Sequence, residues 1–157
     1  MPQVSAMEAR LKNLKEVQKI IVAGSVRRRK ETIGDVDILV ISKKPKPVMD
    51  YFVGMPEVAR VFAHGETKSM VKLKNGLDVD LRVVSEESYG AALNYFTGSK
   101  EHNVRLREIA IKKGCNLNEY GLFRGNKQIA GRSEEDLYVA LGMDFIPPEM
   151  RENLGEI

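Results

Sequence analysis

Apolar residues near the start of the chain recur first at helical spacing and then form a short continuous run. Ser5 and Glu8 have the spacing of a capping box, which predicts a helix that begins near Ser5. The apolar positions of this helix are Met7, Leu11, Leu14 and Val17. The run 20–23 is typical of a buried strand, and Gly24-Ser25 after it predicts a tight junction between that strand and a helix.

The middle of the chain predicts a mixed sheet. Further strands are expected over 35–41, 58–62, 67–73 and 77–84, with a loop over 43–47 and a short helix over 48–53. Asn75-Gly76, between the last two strands, is typical of a two-residue type I′ turn. Apolar and polar residues alternate in the last strand, which predicts one face toward the core and one polar face.

Beyond Ser85 the pattern changes to helices and a hairpin. Helices are expected over 88–96, over 100–113 with Ser99 as N-cap and Gly114 at the end, and from Ser133 to Gly142. A hairpin is expected over 120–123 and 127–130 around Gly125-Asn126, and the tail from Pro147 is expected to be irregular. The pattern predicts a sheet domain over 1–88 and a smaller helix-and-hairpin domain over 89–157.

Composition excludes some classes of protein. With 157 residues, 43% of them hydrophobic, the chain can form one domain or two small ones. No apolar run approaches the ~20 residues of a membrane span, and the first residues lack the pattern of a signal peptide. Cys115 is the single cysteine, so no internal disulfide can form. We therefore expect an intracellular, cytoplasmic protein in which Cys115 is structural, with a nucleophile as the alternative.

Charge is nearly balanced overall but clustered locally. The formal net charge of +3, from 25 basic and 22 acidic residues, does not by itself indicate nucleic-acid binding. Basic residues concentrate in 27–30 and in Lys43, Lys44 and Lys46. Such clusters are usually solvated surface. The residues beside the first cluster suggest a second interpretation.

Aspartates at alternate positions mark two of the predicted strands. Asp35 and Asp37 point to one face of the second strand, with Cα atoms about 6.6 Å apart. Asp78 and Asp80 repeat the spacing on the last strand, where Arg82 shares their face. If the strands pair, the carboxylates gather and repel each other unless cations such as Mg²⁺ bind them. Two such ions could activate a hydroxyl and stabilise a leaving pyrophosphate. Exposed strand aspartates, or ion pairs with Arg28 and Arg82, would give the same pattern.

A candidate phosphate site precedes the first aspartate pair. Gly24-Ser25 follows a strand, and free N–H groups at a helix start bind anions. Ser25 adds a hydroxyl donor, and Arg28 can bind a phosphate through two hydrogen bonds. Either half of the pattern also fits an ordinary turn, but G-S followed by G-D-x-D places a phosphate site next to a metal site.

The segment from Gly24 to Asp37 closely resembles the palm motif of family X DNA polymerases, the polymerase beta family. Asp80-Leu81-Arg82 is similar to their third-carboxylate strand. Segment 95–99, Tyr-Phe-Thr-Gly-Ser, matches their nucleotide-binding motif, and 118–122 matches another stretch of their thumb. The resemblance covers nearly the whole chain, and the tail around 146–149 is similar to the bacterial and archaeal branch. It implies an α+β fold: a nucleotidyltransferase palm, with a mixed sheet and helices on one face, plus a small helix-and-hairpin thumb.

The resemblance also implies a role for each matching residue. Asp35 and Asp37 would bind two Mg²⁺ ions, which Mn²⁺ can replace, and Asp80 would bind the catalytic one and help deprotonate a primer 3′-hydroxyl. The triphosphate would be held by Gly24, Ser25, Arg28 and Gly34. The dNTP sugar and base would be contacted by Tyr95, Phe96, Gly98 and Asn103. Lys100 and Arg107 would face DNA, and Arg82 would pair with Asp37 in the open site and release it on closing. Without the motif, these aromatic and basic residues would be assigned to the core and to the solvated surface.

The implied function is repair-type DNA synthesis on primed or gapped DNA by a monomer that needs no membrane. The sequence departs from the family pattern at Lys100, where animal members often have an acidic residue, at Asp78, where some relatives have a basic one, and at Ile33. Neither lyase nor nuclease segments are found in the sequence, so we expect neither activity. Two alternatives stay open: a terminal transferase or another small nucleotidyltransferase, and a DNA-binding module without catalysis.

Overall fold

The computed structural model describes residues 2–23 and 35–151, with side chains from Val4 onward. These residues separate into two compact units, one made of 2–23 and 35–85 and the other of 86–151. Both units combine helices with a sheet, which confirms the predicted α+β class. None of the helices within the described ranges is long and apolar enough to cross a bilayer.

The first unit is a five-stranded sheet with two helices. Its strands are β1 (Lys19–Ala23), β2 (Asp35–Ile41), β3 (Val58–His64), β4 (Lys68–Leu73) and β5 (Asp78–Val84), and its helices are α1 (Pro2–Lys12) and α2 (Pro45–Val53). The strand order is β1-β2-β5-β4-β3. Strands β2 and β5 run parallel, and all other neighbours are antiparallel. The sheet is therefore mixed, as the sequence predicts.

Alternation along the central strands divides the sheet into a core face and a polar face. Apolar side chains of one face are fully or almost fully buried, among them Val36, Ile38, Val71, Val79 and Leu81. Helix α2 contacts β3, β4 and β5, and α1 contacts β1 and α2. The buried hydroxyl of Ser69 on β4 lies 3.1 Å from the sulfur of Met49 on α2, so α2 covers the core face. The opposite face carries the aspartates.

Helix α1 differs from the prediction at both ends. It begins at Pro2, so Ser5 lies inside the helix and is not its N-cap. It ends at Lys12, where the chain continues in turns in which Leu14 N–H donates to the Leu11 carbonyl and Val17 N–H to the Leu14 carbonyl, both at 3.1 Å. Leu14 and Val17 remain half-buried there. Tight turns preserved the apolar spacing that had indicated a longer helix.

Two shorter predictions for this unit were also wrong. Helix α2 begins at Pro45, inside the segment predicted as a loop, because proline suits a first helical turn that needs no N–H donor. Between β4 and β5, Gly76 N–H donates to the Leu73 carbonyl and Leu73 N–H to the Leu77 carbonyl. Three residues, not two, lie between Leu73 and Leu77, and Gly76 has a φ of +92°. The loop is therefore a three-residue hairpin connection rather than a type I′ turn.

The second unit contains α3 (Tyr89–Thr97), α4 (Lys100–Lys112), α5 (Glu134–Ala140) and a sheet of β6 (Asn116–Asn118), β7 (Gly121–Arg124) and β8 (Lys127–Ala130). Both predicted serine caps are confirmed: His102 N–H donates to Ser99 Oγ and Asp136 N–H to Ser133 Oγ, each at 3.2 Å. The predicted hairpin turn at Gly125-Asn126 joins the paired Arg124 and Lys127.

Two features of this unit were not predicted. Strand β6 pairs with β7 over three residues, too short a stretch to show a strand pattern. The tail, predicted as irregular, forms a short 3-10 helix over Pro148–Met150, and Arg151 directly after it is fully buried. The core of the unit includes Leu106, Leu122, Leu137 and Tyr138.

Candidate active site

The parallel pairing of β2 and β5 brings the two aspartate pairs side by side. Asp35 is the register partner of Asp78, and Asp37 is the partner of Asp80. The residues between them, Val36 and Val79, are fully buried on the core face. All four aspartates therefore lie on the other face, which we call the carboxylate face. The sequence predicted this cluster on condition that the strands pair, and that condition is met.

Burial and mutual repulsion raise the proton affinity of this cluster. The pKa of Asp37 rises from 3.8 to about 6, first because the carboxyl is buried and then because of the negative charge of Asp80. Arg82 opposes this rise through its positive charge. Burial also raises the pKa of Asp80, against the lowering effect of Lys68 and Arg82. The aspartates at the centre of the cluster are thus not ordinary exposed strand residues.

Cations border the carboxylates on the same face. Lys68 and Lys72 of β4 are the register partners of Arg82 and Asp78. Lys72 Nζ lies 3.0 Å from Asp78 Oδ1, an ion pair at which both side chains are partly exposed. Asp78 therefore already has a cationic partner, whereas the pKa of Asp37 is raised by burial and by the charge of Asp80. The sequence did not reveal either lysine as a site residue, because their position depends on the strand order.

The donor set suits a hard divalent cation such as Mg²⁺. Asp35, Asp37 and Asp80 offer only anionic oxygen ligands, which Mg²⁺ prefers. Burial is the main cause of the raised pKa of Asp37, and a cation would relieve the repulsion by Asp80 that adds to it. Within the described ranges, no three His, Cys, Asp or Glu side chains stand at ligand spacing. The strand register thus fixes which carboxylates lie side by side on this face.

The predicted nucleotide-binding segment lies at the end of α3 in the second unit. Tyr95 is 39% exposed, and its ring meets that of Phe96 edge-on at a centroid distance of 4.9 Å. Gly98 has a φ of 73°, and the Gly98–Ser99 peptide bond is cis. Ser99 N–H donates to the Arg151 carbonyl at 2.8 Å. The exposed tyrosine shows that this segment is not simply part of the core.

Helix α4 places Asn103 and Arg107 beside this segment. Asn103 Nδ2 donates to the Tyr95 carbonyl at 2.7 Å. Its Oδ1 is buried and accepts no hydrogen bond from the described residues. A small cavity is lined by Tyr95, Asn103, Arg107 and Asn118 among others, and Lys100 is exposed on the first turn of α4. The structure thus brings together Tyr95, Asn103 and Arg107.

The predicted triphosphate residues Gly24, Ser25, Arg28 and Gly34 lie outside the described residues. A larger cavity of about 650 Å³ opens at the start of α2, lined by residues such as Lys44, Pro45, Met49 and His64. It contains none of the residues to which the sequence assigns chemistry. The other residues to which the sequence assigns chemistry lie on the carboxylate face of the first unit or at the α3–α4 junction of the second.

Buried polar residues beneath the α3–α4 junction were missed by sequence reasoning. Arg151 Nη1 bonds Glu134 Oε2 at 2.5 Å, and both side chains are almost wholly buried. Tyr138 OH donates to Asn94 Oδ1 and lies 3.0 Å from His102 Nε2. No sequence signal marked Arg151, which stands among charged residues in a proline-containing tail.

Family models match both units of the chain. The model described as DNA polymerase beta palm matches residues 3–89, more than half of the chain, and the model described as DNA polymerase beta thumb matches 92–152. The chain belongs to the DNA polymerase beta family. The predicted family resemblance is therefore confirmed, and so is the palm-and-thumb fold.

Individual relatives agree with this family. The DNA polymerase/3′-5′ exonuclease PolX of Bacillus subtilis is 35% identical over 96% of the chain, and the chain spans 27% of that protein's length. A repair DNA polymerase X of African swine fever virus is 29% identical over 85% of the chain and 82% of the relative. The structure of Leishmania infantum polymerase beta in a ternary P/T complex matches with a TM-score of 0.82 and 28% identity. The match covers 96% of this chain and 74% of the Leishmania chain.

Proposed function

We propose that this chain is a DNA-directed DNA polymerase of the repair type, which adds dNMP from a dNTP to a primer 3′-hydroxyl. Residues 1–88 would act as the palm and 89–157 as the thumb. The observation that carries the proposal is the β2–β5 register, which sets Asp37 beside Asp80 on one face of the sheet. The names of the relatives, DNA polymerase and repair DNA polymerase, support the same activity.

Asp35 and Asp37 would hold two Mg²⁺ ions, and Asp80 would hold the one nearer the primer. The ions would neutralise charge on the carboxylates and phosphates, and Mn²⁺ can replace Mg²⁺ because it accepts the same oxygen ligands. Asp80 would help to remove the proton of the 3′-hydroxyl. The hydroxyl oxygen then forms a bond to the α-phosphorus in line with the bond to pyrophosphate, which breaks.

Other residues would position the substrates. Gly24, Ser25, Arg28 and Gly34 would hold the triphosphate, and Tyr95, Phe96 and Gly98 the sugar. Asn103 would reach the minor-groove edge of the incoming base, and its present bond to the Tyr95 carbonyl shows that its amide lies at the predicted segment. Arg107 and Lys100 would face DNA. Arg82 would pair with Asp37 in the open site and release it on closing, which agrees with the attraction between their charges.

Single-nucleotide extension of a labelled primer tests this function. Gapped and recessed templates are offered with each dNTP separately, with Mg²⁺ or Mn²⁺, and Asp80→Asn is the control. We expect extension by the complementary dNTP alone and a loss of about 10²–10³-fold or more in Asp80→Asn, the range for removing an electrostatic catalytic group. Extension by any dNTP would point to a terminal transferase. No extension at high protein concentration and low salt would contradict the proposal for this chain.

A further inference from the structure

An exposed aromatic residue lies among cations on the carboxylate face. Phe62 of the edge strand β3 is 47% exposed, with Arg60 Cζ 5.2 Å and Lys72 Nζ 6.0 Å from its ring centroid. Arg60 is the register partner of Lys72, which in turn pairs with Asp78. Lys68 lies on the same face of β4. We call Arg60, Phe62, Lys68 and Lys72 the Phe62 strip.

The geometry of β3 disfavours a protein strand as the partner of this strip. The pairing of β3 with β4 shifts register between Val58 and Arg60 and again between Val61 and Ala63, and the second shift falls at Phe62. Such irregularities re-aim side chains and hinder the addition of a further strand at a sheet edge. The cations over the Phe62 ring also disfavour an apolar protein surface, because that surface would bury their charge.

A nucleic-acid strand offers what the strip lacks. Its bases have flat faces that stack on aromatic rings, and its phosphates pair with lysine and arginine. We propose that the Phe62 strip binds an unpaired nucleic-acid strand, with one base stacked on Phe62 and the adjoining phosphates at Arg60, Lys68 and Lys72. This inference rests on the proposed function for the identity of the strand as DNA, but the binding itself needs neither a dNTP nor the aspartates.

The aspartates offset part of the charge of Lys68 and Lys72 but act only weakly on Arg60. Lys72 is already paired with Asp78 at 3.0 Å, and Lys68 lies near enough to Asp37 and Asp80 to offset part of their charge. Arg60 and Phe62 lie on β3, two strands from β5. Two strand spacings amount to about 10 Å, close to the Debye length at 0.1 M salt. Repulsion of a phosphate at Arg60 by the carboxylates is therefore weakened, and binding is expected to fall as salt rises.

The chain contains no tryptophan, so Phe62→Trp provides a single fluorescent reporter of stacking. The Phe62→Trp variant of the chain is titrated with a single-stranded oligonucleotide at low salt, without dNTP or divalent metal. We expect saturable quenching, and much weaker quenching by a strand of the same length that has abasic sites. The matched control is Tyr51→Trp, on α2 at 39% exposure. Equal quenching in both variants, or by both strands, would overturn the stacking proposal.

Affinity measurements supply a second test. Phe62→Ala is expected to weaken single-strand binding about 5- to 150-fold, the range of one base–aromatic stack, whereas Phe62→Tyr and Tyr51→Ala leave the affinity near wild type. If Phe62→Ala binds the single strand with wild-type affinity and its circular dichroism is unchanged, the proposal is wrong. Primer extension is measured separately. If Phe62→Ala weakens single-strand binding but the wild type extends no primer, only the proposed polymerase function is refuted. If the wild type extends primers but Phe62→Ala leaves the single-strand affinity unchanged, only binding by the Phe62 strip is refuted.

Discussion

The carboxylate face of the first unit and the residues beneath the α3–α4 junction of the second hold their buried charges in opposite ways. On the carboxylate face, Asp37 lies beside Asp80, and its pKa rises to about 6, first because the carboxyl is buried and then because of the negative charge of Asp80. Beneath the junction, the buried Arg151 and Glu134 form an ion pair, and Tyr138 lies within hydrogen-bond distance of two partners.

The difference separates two tasks. Carboxylates that are crowded together and partly buried bind a cation more strongly, because the cation relieves their repulsion. Groups that only position a segment gain from satisfied hydrogen bonds, since an unsatisfied buried polar group is costly. The same kind of substitution should therefore have opposite effects on stability in the two regions.

The largest effect is expected for Arg151→Ala in the second unit. The substitution removes the buried ion pair of Arg151 with Glu134, which should lower the free energy of unfolding by about 3–5 kcal/mol. It also removes the contacts of the guanidinium with the rings of Tyr138 and Phe145. Urea denaturation followed by circular dichroism measures the change.

Arg132→Ala is the matched control, because Arg132 and Glu87 form an exposed pair at 3.6 Å. Its cost should stay below about 1 kcal/mol. Replacing both buried partners, Arg151→Met with Glu134→Gln, should recover part of the loss, since no unpaired charge then remains. If Arg151→Ala lowers the free energy of unfolding no more than Arg132→Ala does, the buried pair does not stabilise this unit.

In the first unit, Asp37→Asn should stabilise the metal-free protein while abolishing the proposed DNA synthesis. The folded-state pKa of about 6 lies above the ordinary 3.8, so the folded protein holds this proton more tightly than the unfolded chain. Its contribution is therefore favourable at low pH and is lost as the pH rises from 4 to 6. At pH 7 the substitution should raise the free energy of unfolding by up to about 3 kcal/mol.

Denaturation curves of both proteins from pH 4 to pH 8, in chelator, measure this difference. Asp50→Asn is the control with the opposite sign, because Lys46 and His64 lower the pKa of that exposed carboxyl. Addition of Mg²⁺ should then stabilise the wild type by about 1–3 kcal/mol at 10 to 100 times its dissociation constant, and Asp37→Asn far less. If neither pH nor Mg²⁺ changes the free energy of unfolding of the wild type, the carboxylates do not repel one another as proposed.

The smallest change in stability is expected from removing either serine cap of the second unit. Ser99→Ala and Ser133→Ala each remove an N-cap hydrogen bond of 3.2 Å and should cost about 1 kcal/mol of stability. Only Ser99 adjoins Gly98 of the proposed sugar-binding segment. We therefore expect a several-fold loss of dNTP incorporation in Ser99→Ala alone. Equal incorporation by the two variants would show that the cap supports stability and not the segment.

Local patterns in the sequence predicted a large part of this protein. The alternation in β2 and β5 fixed that each aspartate pair shares a face, because strand side chains alternate whatever the neighbouring strand is. The caps at Ser99 and Ser133 were predicted because a side chain and an N–H group three residues away suffice to form them. Where a turn preserves helical spacing, as at Leu14 and Val17, the same local reasoning failed.

Tertiary structure decided what depends on residues far apart in the chain. Only the parallel pairing of β2 with β5 sets Asp37 against Asp80, and only the order β5-β4-β3 brings Lys72 and Phe62 onto their face. The burial of Arg151 likewise depends on Glu134 and on the rings around it. Sequence periodicity determines which way a side chain points along its own element. Its partner is chosen by packing between elements, which no local pattern records.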